Sequence, residues 1–121
     1  MSISQRPSVL VVDGEVTFVR TMAAVLEDEG FAVRTVPDVP TALAELTRQR
    51  PDLVLSDIWM PGASRWDLAE RLITRGDRIP LVLMSAMSIQ ARAQGVRFVR
   101  KGDGVGSILA AVHEALAPPV A

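Results

Sequence analysis

The chain has no cysteine, no tyrosine, a single histidine and very little lysine. Without cysteine there is no disulfide framework, no thiolate zinc site and no cysteine nucleophile. The one histidine, His113, excludes any site that needs two. Neither charge sign dominates, since thirteen bases against fourteen acids leave −1. That balance lacks the basic footprint of a nucleic-acid or anionic-membrane binder. No apolar run approaches the ~20 residues of a membrane span, and no charged-then-apolar leader opens the sequence. The expectation is a soluble cytoplasmic domain with no membrane and no direct nucleic-acid contact.

The 121 residues are 49% apolar, enough for a real core in a chain of this size. At ~150 residues per domain this is one domain. Its core is expected over about residues 7–117, with a frayed tail at 118–121. No internal repeat or linker is visible.

Proline and glycine punctuate the rest. Pro7, Pro51 and Pro80 each precede an apolar run, and Gly30, Gly76 and Gly95 follow helix-like segments, where a left-handed C-cap is expected. The runs at residues 8–12, 53–55 and 81–84 are short, β-branched and continuous rather than alternating. Strands apolar on both faces belong to a parallel sheet covered by helices on both sides. Shorter strands are expected at 32–35 and 98–100. Between them lie segments of helical period. Phe18, Met22, Val25 and Leu26 share one face over residues 15–29, followed by Ala42, Leu43 and Leu46, and then by Trp66, Ala69, Leu72 and Ile73 over about 66–74. A last helix carries Ile108, Leu109, Val112 and Leu116, with Ser107 as candidate N-cap. Strict β-α alternation with right-handed crossovers predicts an α/β doubly wound sandwich.

In such folds ligands sit outside the carboxyl ends of the strands. Asp13, Gly14 and Glu15 follow the first run, Ser56 and Asp57 the third, Ser85 the fourth and Lys101 the fifth. Clustered carboxylates repel unless a cation joins them, and hard oxygens favour Mg²⁺. A carboxylate can also attack a phosphoryl group to give an acyl phosphate, whose oxygens a hydroxyl and an ammonium can bind. Asp13 and Glu15 equally suit a helix N-terminus, where the dipole favours acids. Twelve of the thirteen bases are arginine, so Lys101 is the only lysine. In an arginine-biased chain, a lone compact ammonium at a strand end suggests a geometry that excludes the larger guanidinium fork.

These segments together resemble the receiver domain of bacterial two-component response regulators. The matching stretches are residues 9–15, 29–31, 51–62, 83–86 and 98–101, of which Asp57-Ile58-Trp59-Met60-Pro61-Gly62 is the most specific. The resemblance implies a flavodoxin-like three-layer sandwich on a five-stranded parallel sheet of order 2-1-3-4-5. It implies Asp57 as the phosphoacceptor, with Ser85 and Lys101 contacting the phosphoryl group. Mg²⁺ would be held by Asp13, Asp57 and the Trp59 backbone carbonyl, with Glu15 a further candidate. Phe98 would be the aromatic that reports the switch, although judged without the family it reads as core. The implied partners are a histidine kinase or phosphotransfer protein and a downstream protein or output domain, with the chain itself a monomer or weak dimer and not an enzyme.

The chain also departs from the family pattern. Gly14 stands where a second acid is usual, which removes a side-chain metal ligand. Gly102 stands where proline usually follows the lysine, with Gly104 and Gly106 close behind. Only residues 86–97 separate Ser85 from Phe98, which leaves a turn or two for a fourth helix. Residues 78–102 hold five bases and no acid, either a solvated basic rim or a face for an acidic partner. The alternative function is a degenerate receiver, independent of phosphorylation, that acts as a protein-interaction module. A phosphatase with an aspartyl nucleophile would want an acid where Trp59 stands. A flavin site would want a hydroxyl- and glycine-rich loop in place of Asp13-Gly14-Glu15.

Overall fold

A computed structural model describes residues 6–58, 68, 70–72, 76, 78–86 and 96–117. Its elements are β1 (Ser8–Val12), α1 (Val16–Asp28), β2 (Ala32–Val36), α2 (Val39–Arg48), β3 (Leu53–Asp57), β4 (Leu81–Ser85), β5 (Val96–Arg100), a 3₁₀ turn (Lys101–Asp103) and a C-terminal helix, α3 (Val105–Leu116). Leu68 and residues 70–72 are also helical. The five strands are all parallel, in the order β2-β1-β3-β4-β5.

The continuous apolar runs explain the layers. Val9 and Val11 of β1 face α1 and α3, packing with Leu53, Leu55, Val82 and Met84 against Met22, Leu26, Ile108 and Val112. Leu10 and Val12 face the opposite way, joining Val54, Leu81 and Leu83 under Ala42 and Leu46 of α2 and under Leu68 and Leu72. Successive strand side chains alternate between these two cores, so the central strands carry no polar face. The edge strands β2 and β5 are more exposed, and β5 has no fully buried residue.

α1 stops in a Schellman motif. Phe31 N–H donates to the Leu26 carbonyl and Gly30 N–H to that of Glu27, with Gly30 at φ 96°. Gly76 is also left-handed, at φ 73°, whereas Gly95 lies outside the described residues. At the start of α2 the Asp38 carboxylate accepts from the Thr41 N–H at 2.8 Å.

Two expectations are corrected. Ser107 does not cap the last helix. That helix begins at Val105 after Gly104 at φ 93°, and the Ser107 hydroxyl donates back to the Asp103 carbonyl at 3.2 Å. β5 begins at Val96, two residues early, because it pairs in full with β4 from Leu81↔Val96 to Ser85↔Arg100. The expected helix over 66–74 is seen only at its described positions, and most of the segment between Ser85 and Phe98 lies outside them.

Candidate functional site

Parallel order and register carry the strand-end residues to one edge of the sheet. β1 and β3 are neighbours, so Asp13 and Asp57 end adjacent strands. Asp57 is registered with Met84, which puts Ser85 one step further along β4, and Ser85 is registered with Arg100, the residue before Lys101. Ser85 is buried.

Asp13 is held on both sides. Its N–H donates to the Val36 carbonyl at 3.1 Å, and its Oδ1 accepts from the Glu15 N–H at 2.9 Å, tying the strand end to the start of α1. Its side chain is only 1% exposed. Lys101 Nζ lies 2.7 Å from Asp13 Oδ2 and 3.3 Å from Asp57 Oδ2. The ammonium is the one described group that reaches buried Oδ2 closely. Glu15 sits at the rim, largely exposed, with Oε2 3.9 Å from the same ammonium. Burial of Lys101 disfavours its charge. The Asp13 contact and charge, followed by the charge of Asp57, outweigh that and raise its pKa.

The cluster therefore holds three carboxylates and one ammonium, a formal −2. Its ligand atoms are hard oxygens, and buried Asp13 Oδ2 faces the position the ammonium fills. That set suits Mg²⁺, which takes one or two protein carboxylates and keeps several waters. Among the described residues no three acids or histidines lie close enough together to hold a metal by themselves. Gly14, between Asp13 and Glu15, adds no carboxylate to the set. A Cβ built at Gly14 meets only the Pro37 carbonyl, at 3.5 Å, an ordinary contact.

Asp13, Asp57 and Lys101 are thus brought together, with Ser85 on the same edge and Glu15 at the rim. Trp59 lies outside the described residues. Phe98 is half-buried against the α2-side core. Phe18 was expected only on the apolar face of α1, yet its ring lies under the ammonium, with Nζ 4.3 Å from the centroid. Its place in the first turn of the helix that leaves Asp13 was the available signal. The basic stretch near β5 is partly neutralised, Arg97 pairing with Glu114 at 3.1 Å and Arg100 with Asp103 at 2.9 Å.

Residues 9–102 match the family model of the response regulator receiver domain. Among curated proteins, the chain is 38% identical over 79 residues to the sensory transduction protein RegX3 of Mycolicibacterium smegmatis, covering 65% of this chain and 34% of that protein. It is 39% identical over 80 residues to the nitrogen assimilation regulatory protein NtrX of Azorhizobium caulinodans, covering 64% and 17%. The match thus spans about a third or less of these relatives' length. Among solved structures, the response regulator TrrA of Thermotoga maritima, in complex with Mg²⁺-BeF, aligns with TM-score 0.81 at 25% identity over 93% of this chain and 100% of that one. NtrX of Brucella abortus aligns with TM-score 0.81 at 28% identity over 93% and 27%.

Proposed function

The chain belongs to the response regulator receiver domain family of two-component signalling, and on that premise we propose that Asp57 is its phosphoacceptor. Receiver domains are signalling modules and generally not enzymes. The observation that carries the proposal is the Lys101 ammonium lying against both Asp13 and Asp57 at the end of the sheet.

In the proposed transfer an Asp57 carboxylate oxygen attacks the phosphorus of a phosphohistidine on a histidine kinase or phosphotransfer protein. The P–O bond forms as the P–N bond breaks, and the donor imidazole leaves. Asp13 and Asp57 would hold Mg²⁺, with Glu15 at the rim and the Trp59 carbonyl as the further ligands the family resemblance implies. An ion held there would supply positive charge against the phosphoryl oxygens and the clustered carboxylates. Lys101 already contacts Asp57, so its ammonium is placed to pair with the new phosphoryl charge. Ser85, one register step away, supplies a hydroxyl donor. The added charge draws these two groups inward, and the resulting two-state movement alters a surface read by a downstream protein or output domain.

Tryptophan fluorescence tests this, because Trp59 is two residues from Asp57. Saturable quenching by millimolar Mg²⁺, a further change with beryllofluoride, and loss of both in Asp57→Asn are expected. A folded protein that responds to neither ligand would instead act as a phosphorylation-independent interaction module.

A further inference from the structure

Lys101 has an unusual support. Its backbone opens the 3₁₀ turn Lys101–Asp103 and runs through Gly102 and left-handed Gly104 into α3. The side chain is only 16% exposed. Carboxylates reach it on one side, from Asp13 and Asp57, with the more distant Glu15 at the rim. On another side it meets an aromatic face, the Phe18 ring, 4.3 Å away at the centroid.

We propose that Phe18 is a positioning residue for Lys101, its ring holding the long, rotatable side chain's ammonium over the acid pocket. Phe18 is suited to this role by its own anchoring. It is part of α1, half-buried against the core formed with Met22 and Leu26, so its ring is set by helix packing and not by the Lys101 turn. Cations sit favourably over the negative face of an aromatic ring, and more so where water is partly excluded. An aliphatic side chain of similar size would fill the same space without attracting the charge. The role of Phe18 in phosphoryl binding rests on the function proposed above, whereas its contact with Lys101 does not.

Because Lys101 is the only lysine, protein grown with ¹³C,¹⁵N-lysine gives one set of side-chain resonances. The ε-methylene and Nζ protons are expected upfield of free lysine through the ring current of Phe18. The shift is expected to persist in Phe18→Tyr and to vanish in Phe18→Leu. Beryllofluoride binding is expected to weaken about tenfold in Phe18→Leu and to be rescued in Phe18→Tyr. An unshifted wild-type lysine overturns the proposal even if Phe18→Leu fails to fold, as does a shift unchanged in folded Phe18→Leu. If no variant, wild type included, responds to Mg²⁺ or beryllofluoride, the phosphoacceptor assignment fails, and the ring-current signature still decides the role of Phe18.

Discussion

Gly14 occupies a backbone conformation open to any residue. Its φ is not left-handed, unlike Gly30, Gly76 and Gly104, and a Cβ would make only ordinary contact. The missing acid is therefore a matter of pocket chemistry and not of chain geometry. Gly14→Asp is expected to tighten Mg²⁺ binding roughly tenfold and to cost about 1 kcal/mol of metal-free stability through carboxylate repulsion. Mg²⁺ titration and urea midpoints with and without chelator measure both, and unchanged affinity would mean that position 14 does not face the metal. Lys101 acts in the opposite sense, as the resident cation. Lys101→Met leaves buried Asp13 without its counter-charge, at a cost of about 2 kcal/mol at neutral pH. The pH dependence follows from the raised pKa of Lys101. A base whose pKa rises on folding contributes fully below its unfolded value, ~10.4 for lysine, and loses that contribution as pH climbs through the folded value. The wild-type advantage over Lys101→Met should hold from neutral pH to about 10 and shrink above it, as urea midpoints at several alkaline pH values would show.

The elements were legible wherever one physical signal dominated. Residues 8–12, 53–55 and 81–84 read best as strands apolar on both faces, being too short for helices, and each forms one, β3 and β4 running on into Asp57 and Ser85. Gly30 after the α1 period marked a C-cap, and its open surroundings mean that a substitution meets only the backbone penalty. Gly30→Ala is expected to cost about 1 kcal/mol, read from the thermal or urea midpoint, with α1 otherwise retained. Legibility failed where two signals competed. Ser107 has cap chemistry, but a left-handed Gly104 begins the helix earlier and leaves the Ser107 hydroxyl to a carbonyl one turn back. β5 extends through polar Arg97 because its ladder with β4, and not its hydropathy, sets its length. The strand-end acids and Lys101 could be picked out by position alone, since parallel topology fixes where strand ends meet. The contact of Phe18 with Lys101 could not, because helical period identifies a face but not which side chain on that face reaches a charge.

At the scale of the molecule, the pocket fastens together strands far apart in sequence. Asp13 follows β1, Asp57 ends β3 and Lys101 follows β5, so their charges meet only in the native sheet. A cation bound there engages the folded state and not the unfolded chain, and its stabilisation follows RT ln(1 + [L]/Kd). At ten times Kd that is about 1.4 kcal/mol, or roughly 5 °C in the midpoint for a domain of this length. Monovalent salt at equal ionic strength screens the carboxylates but does not bridge them, so it should reproduce only a small part of the effect. Asp57→Asn removes one of the two converging carboxylates and should abolish the part specific to Mg²⁺. Melting curves in MgCl₂ and in NaCl at matched ionic strength, for both proteins, separate screening from binding. Coincident wild-type curves would mean that Lys101 satisfies the pocket unaided and that no divalent cation joins these strands.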